Sequence, residues 1–350
     1  MKGRDREGGW RRQRFWSQAV AYALLLLGTA AYLTPFLWMI SASLKSYETV
    51  FEFPPTLLPK QVRTTRLHGQ ILKLATYSPP EGKPVRVAVL KADAGLLTME
   101  ILEGPRKGET VKDSQSVAKY DTVILPRWQN YPEAWTTMPF NRFLLNTLII
   151  SLFGIIGQVL SASFVAYSFA RLRWPGRDLV FMLVLATVML PTHITLIPQY
   201  VIFRAFGWID TFLPLVVPSY LGGSAVYIFL LRQFFLTIPL ELDEAARIDG
   251  ASSFTVWTRV MLPLSKPILA TVAVFSFVHF WNDFMGPLIY LNSTKKLTLA
   301  VGLRVFQGVY GTYMHLLMAV ATVALIPILI IFFFAQRQFV RSIVLTGIKG

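Results

Sequence analysis

Six stretches of this sequence, near residues 17–41, 143–169, 179–203, 212–235, 268–291 and 313–336, stay apolar over the ~20 residues that a helix needs to cross a bilayer. In lipid every backbone N–H and C=O must find its partner within the chain, and continuous apolar runs of this length satisfy that demand as helices. The expected fold class is therefore an all-α polytopic membrane protein with six transmembrane helices. The first apolar run, Ala19 to Ile40, exceeds the roughly 7–15 residues of a signal-peptide core, and no small-residue cleavage site follows it. It reads as a retained span. Only 15% of the residues are charged, where soluble domains carry about 25%. Cysteine is absent, which excludes disulfides, thiolate metal sites and a cysteine nucleophile.

The charge that remains is lopsided, with 34 Lys+Arg against 19 Asp+Glu. Much of the excess flanks the apolar runs, where it orients a membrane protein rather than binding nucleic acid. Basic residues crowd the tail before the first span, the 170–178 and 232–267 loops and the C-terminal tail, which share one side if there are six spans. The short loops of the other side offer Arg204, Lys295, Lys296 and Arg304. The positive-inside bias then places both termini and the 232–267 loop in the cytoplasm. The 42–142 segment is too long for its charge to count.

Four regions follow: a basic cytoplasmic tail at 1–16, the first span and the start of an extracytoplasmic loop at 17–59, an insert at 60–127, and a five-span core at 128–350. The insert holds 12 Lys/Arg and 7 Asp/Glu, with β-like runs at Val85–Lys91, Leu96–Leu102 and Val117–Leu125. Gly104-Pro105-Arg106-Lys107-Gly108 reads as a turn between strands. A small β-rich extracytoplasmic body is expected, serving as a contact for a soluble partner, as a gate to the membrane part, or as structural decoration. Phe53-Pro54-Pro55 and Tyr131-Pro132-Glu133-Ala134-Trp135 look like the halves of one loop that it splits.

Polar residues inside the spans are few. Pro191 and Pro198 bracket Thr192-His193-Ile194-Thr195 and should interrupt the third span, as a solute-lining break or a simple kink. Trp281-Asn282-Asp283 is the notable polar cluster. A carboxylate at depth costs about 2.5–3.5 kcal/mol, so Asp283 should face protein or water, as a pathway group or an interhelix clamp. His193 and Gln199 are further pathway candidates, and His279 could equally be a satisfied interior histidine. The four histidines lack metal-ligand spacing.

Between the fourth and fifth spans, residues 236–267 are built as an elbow. Pro239 suits a first helical position, Glu241 and Asp243 favour the helix dipole, and Gly250 falls where a helix ends in a left-handed turn. Ser252 or Ser253 can cap a second helix through Phe254, Val256, Trp257 and Val260, which Pro263 and Pro267 would stop. An apolar ridge of Ala245, Ala246, Ile248, Val256 and Trp257 fits a groove on another protein, or lies on the membrane surface.

The stretch Glu244-Ala245-Ala246, Asp249-Gly250-Ala251 and Leu262-Pro263 resembles the EAA signature of ABC-importer permeases. Asn146–Ile149, Ala166–Leu172, Leu231–Phe235, Trp281–Phe284 and the Gly347–Gly350 tail are similar to the six-span partner of the maltose-type (carbohydrate-uptake 1) pair. The resemblance covers roughly 15–60 and 128–350; the insert departs from it. It implies the type I ABC importer fold, with Glu244, Ala245, Ala246, Asp249, Gly250, Ala251, Leu262 and Pro263 forming the coupling element. It also implies a cytoplasmic ATP-binding subunit present as a dimer, a second permease, an extracytoplasmic solute-binding protein and a bacterial inner membrane. The chain lacks a Gly-x-x-x-x-Gly-Lys-[Ser/Thr] loop, so it is not expected to be an enzyme or to bind a cofactor; ATP-Mg is expected on the partner. The implied solute is a carbohydrate or a glycerol-phosphate-like molecule. The rival reading is an ATP-independent channel or secondary carrier, although intramembrane ionisable relays and inverted repeats are not apparent.

Overall fold

The computed structural model describes residues 4–346 other than 54, 80–82, 94 and 309–312. Lys2, Pro54 and the Gly347–Gly350 tail therefore lie outside the described residues. The chain divides into two compact units, Met1–Ala134 with Tyr310–Thr322, and Trp135–Val309 with Val323–Gly350.

The first unit opens with α1 (Arg4–Ser43) and a single turn, α2 (Tyr47–Val50). None of the most apolar window of α1 is buried within the chain, as a helix surrounded by lipid requires. Its C-terminal end is tied down by Asn130, whose Nδ2 donates to the carbonyls of Ser43 and Lys45 at 2.8 and 2.7 Å. Among the described residues, eight strands follow: β1 (Lys60–Val62), β2 (Thr64–Leu67), β3 (Gln70–Tyr77), β4 (Val85–Asp93), β5 (Leu96–Ile101), β6 (Thr110–Ser114), β7 (Ala118–Tyr120) and β8 (Thr122–Ile124). Strands β2 to β6 form an antiparallel meander with β7 paired to β3, while β1 and β8 make a separate antiparallel ribbon in which Lys60 faces Ile124. One face of the meander is apolar by the two-residue alternation of strands. Ala75, Val87, Leu97, Met99 and Ile101 are buried together there.

The second unit is helical: α3 (Asn130–Thr137) leads into it, then α4 (Phe140–Arg171), α5 (Arg177–Ala186), α6 (Thr192–Ala205), α7 (Leu213–Val216), α8 (Ala225–Thr237), α9 (Glu241–Ile248), α10 (Ser253–Val256), α11 (Leu262–Leu264), α12 (Lys266–Asn282), α13 (Met285–Tyr290), α14 (Leu299–Gly308) and α15 (Met314–Thr346), whose residues through Thr322 are counted with the first unit. Helix α4 packs against α8, α12 and α14. Between lipid-immersed helices the hydrophobic effect is weak and close approach matters instead. Gly154 supplies it: a Cβ there would fall 2.6 Å from the Phe280 ring of α12.

Among the described residues, four helical segments are long and apolar enough to span a membrane, Phe15–Ser43, Phe140–Arg171, Leu213–Thr237 and Met314–Gln336, and two bent pairs raise the number to as many as six. The span expected at 179–203 breaks at Leu190–Pro191 alone. Pro198 sits inside α6, where its missing N–H leaves one carbonyl unbonded without ending the helix. The span expected at 268–291 stops at Asn282, because Asp283 turns into an extended conformation (φ −64°, ψ 117°). Helix α12 is instead paired across an 83° bend at Ser265 with the segment Ser253–Leu264.

Candidate functional site

The elbow between α8 and α12 has a buried root and an exposed tip. Helix α9 begins at Glu241, two residues past Pro239, with Glu241, Asp243 and Glu244 in its first turn, where negative charge suits the helix dipole. It ends in a Schellman motif: the Ala251 N–H reaches the Ala246 carbonyl at 2.9 Å and the Gly250 N–H reaches Arg247 at 3.0 Å. That geometry needs a left-handed residue, and Gly250 has φ +82°. Ser252, not Ser253, caps the second helix, accepting from the Thr255 N–H at 3.2 Å. This helix runs on through a wider π turn at Trp257–Met261 and through Pro263, which occupies a first-turn position of α11 and does not stop it.

Burial divides the expected ridge. Val256, Trp257 and Met261 are sunk in a core with Ala166, Tyr167, Leu231 and Phe235, so Val256 and Trp257 anchor the elbow and belong to no outward ridge. Ala246, Ala251 and Leu262 pack partly against the same core. Glu244, Ala245, Arg247, Asp249, Gly250 and Pro263 are exposed, and Ile248 and Phe254 stand out at 86% and 62% exposure. The tip is thus two large apolar side chains ringed by opposite charges.

One arginine joins the elbow to the helices beneath it. Arg171, the last residue of α4, donates from Nη2 to the carbonyls of Phe235 and Ile238 at 2.8 and 2.5 Å, closing the end of α8. Its Nε lies 3.6 Å from Asp243 Oδ2, and each of the two side chains is only 4% exposed. Burial pushes the Asp243 carboxyl above the usual carboxylate range, with Arg171 and Arg247 pulling against it.

A cavity of about 660 Å3 opens within the second unit, lined from α4, α6, α8, α12 and the segments around α7 and α13. It brings together Gln199 and Asp283, two of the expected pathway residues, with Gln158, Thr187, Ser219, His279 and Tyr290. The other three candidates lie elsewhere. His193 is exposed on α6 and does not line the cavity. Trp281 is buried and donates to the Ala324 carbonyl at 3.2 Å. Asn282 bonds back to Val278 of its own helix. The Asp283 Oδ1 accepts locally from the Gly286 N–H at 3.1 Å, capping the start of α13. Gln158 was missed because it sits in an otherwise apolar helix, Gly154-Ile155-Ile156-Gly157-Gln158-Val159-Leu160, where a lone amide carries no motif. Among the described residues, no group of three or more His, Asp or Glu is placed to hold a metal ion.

A family model described as binding-protein-dependent transport system inner membrane component matches residues 158–345. The arabinooligosaccharides transport system permease protein AraQ of Halalkalibacterium halodurans is 34% identical over 205 residues, 59% of this chain and 73% of that protein. The sn-glycerol-3-phosphate transport system permease protein UgpE of Pectobacterium atrosepticum is 32% identical over 243 residues, 66% of this chain and 86% of its own. Among solved structures, a chain of a bacterial ABC transporter involved in the import of the acidic polysaccharide alginate aligns with a TM-score of 0.66 at 20% identity, covering 93% of this chain and 97% of that one.

Proposed function

The chain belongs to the binding-protein-dependent transport system inner membrane component family, and on that footing we propose that it is one of two permease subunits of an ATP-driven importer of carbohydrate or glycerol-phosphate-like solutes. It is a membrane permease with the type I ABC importer fold. The observation that carries the proposal is the elbow, rooted in the permease core and exposed at its tip. A soluble ATPase closing on ATP needs such a handle: a stiff projection, fixed at its base, whose end is free to be gripped.

In this reading, Ile248 and Phe254 enter a groove of the ATPase, while Glu244 and Asp249 pair with basic groups at its rim. Ala245 permits close approach, Gly250 makes the turn, and Ala246 and Ala251 seat the tip on its root. Leu262 and Pro263 lie at the bend into α12, where movement of the tip passes into the membrane. ATP-Mg is bound by the partner ATPase, a dimer, so this chain hydrolyses nothing. A second permease completes the path, and an extracytoplasmic solute-binding protein delivers the solute. Six spans in the bacterial inner membrane, with both termini and the elbow in the cytoplasm, put the β-rich 60–127 insert on the outer face. The excess of basic residues on the elbow's side supports this orientation.

The test is a mild-detergent pull-down of the tagged chain from its native membrane, run for wild type and Gly250→Leu. Recovery of an ATPase and a second permease with wild type, with less ATPase from the variant, is the expected result. Recovery of the chain alone would overturn the proposal and favour an ATP-independent channel.

A further inference from the structure

The cavity in the second unit has a chemistry of its own. Among the described residues lining it there is no lysine or arginine. Its polar wall consists of the amides of Gln158 and Gln199, the hydroxyls of Thr187, Ser219, Ser224 and Tyr290, the imidazole of His279 and the carboxyl of Asp283. Amides and hydroxyls each both donate and accept hydrogen bonds, as sugar hydroxyls do. Two of these groups are buried without a partner among the described residues: Nε2 of Gln158, a residue 7% exposed, and Oη of Tyr290, a residue 4% exposed. A buried polar group left unbonded is destabilising unless something satisfies it. Phe280 and Leu215 supply apolar wall for the C–H faces of a ring, the mixture typical of small-molecule sites.

An anionic solute meets the opposite conditions. A charge leaving water needs a counter-charge, and this wall offers no fixed cation and one carboxyl. We infer that the cavity is a solute site selecting an uncharged, hydroxyl-rich molecule, a neutral saccharide or polyol, over phosphorylated or uronate-bearing solutes. This rests on the importer reading and narrows it, because the relatives named above include permeases of both classes.

The test uses the intact complex, purified with its partner subunits and binding protein and reconstituted in proteoliposomes. It is offered an equimolar mixture of arabinotriose, maltotriose, glucosylglycerol, glycerol 3-phosphate and an alginate trisaccharide, and internal solute is read by mass spectrometry with and without ATP. The expected result is ATP-dependent accumulation of a neutral member, at least about ten-fold above either anionic one. Gln158→Leu and Gln199→Leu should each slow that uptake about ten-fold, the loss expected when one solute-facing hydrogen bond of ~1.4 kcal/mol is removed. Co-purification of all subunits with each variant checks that assembly survives, and Gln199, exposed on α6, guards against a folding defect at buried Gln158. Accumulation of an anionic member by wild type overturns the charge selection and leaves the importer standing. Wild-type uptake by both glutamine variants overturns the cavity as the solute site. Accumulation of no member under ATP overturns the importer reading itself.

Discussion

Replacing Arg171 should damage this protein far more than neutralising the aspartate beside it. Arg171→Met keeps the stem of the side chain but removes the guanidinium donor from the carbonyls of Phe235 and Ile238, and leaves buried Asp243 without its ion-pair partner. Removing one partner of a buried charge pair costs about 3–5 kcal/mol. At the roughly 2–4 °C per kcal/mol typical of a domain of 150–250 residues, ~4 kcal/mol lowers the melting temperature by roughly 8–16 °C. Asp243→Asn leaves both arginine–carbonyl bonds in place. Because burial already raises the Asp243 carboxyl above its ordinary range in spite of Arg171, its ionised form is a burden on the fold, and removing that charge should cost less than ~1 kcal/mol. The pH dependence has a definite sign. An acid with a raised folded pKa binds more protons folded than unfolded, so its penalty is absent below the unfolded value of ~3.9 and grows as pH rises through the folded one. Wild type should therefore lose stability relative to Asp243→Asn as pH climbs above ~4. The assay is thermal unfolding of the detergent-solubilised complex, wild type and both variants, across pH 4–8. If Asp243→Asn melts as low as Arg171→Met, the ion pair and not the carbonyl clamp holds the elbow, and the reasoning fails.

Three further outcomes are expected. Gly250→Ala and Gly250→Leu should melt together, each about 1–2 kcal/mol below wild type, because the strain lies in the φ of +82° and nothing stands within 4 Å of a Cβ there; only the leucine should sharply weaken ATPase recovery in pull-downs, and a lower melting point for leucine alone would reveal hidden crowding. The Ser293 hydroxyl and N–H, with Lys296 and the Asn292 N–H, hold the Asp210 carboxyl well below the usual range. That contribution is present above ~3.9 and lost as pH falls, so wild type should lose melting temperature below pH 4 more steeply than Asp210→Asn, the reverse of the Asp243 trend. Met99→Ala, at a fully buried position of the sheet core, should cost about 2–5 kcal/mol and raise amide hydrogen exchange across β4 and β5, leaving exchange in α4 unchanged.

The long apolar segments and the Gly250 turn were legible because each is a local rule: continuous hydropathy for the first, a helix stop for the second. What escaped was tertiary. Arg171 and Asp243 were both read, one in the Ala166–Leu172 run and one as a dipole partner in α9, yet nothing in a linear chain says that they meet. The ridge assignment failed for a related reason, since helical periodicity groups Val256 and Trp257 with Ile248 but cannot tell which side has a core waiting beneath it. The end of α12 did leave a trace. Asp283 followed three residues on by Gly286-Pro287 is a helix-start signature, masked by the apolar residues that run on to Leu291. The cavity was half visible, through Gln199 and Asp283, because a polar group in a span is conspicuous only when something nearby marks its purpose.

The ribbon of β1 and β8 has a consequence for inheritance. Lys60 and Ile124 are direct neighbours, so residues 61–123 leave the chain and return to it at almost the same point. A gene encoding this protein can gain, lose or exchange that stretch in one in-frame event between two codons, and the flanking polypeptide needs only a short bridge. Lineages can then differ in this appendage by tens of residues while the helices after it keep their order, so the sheet is free to evolve at its own pace.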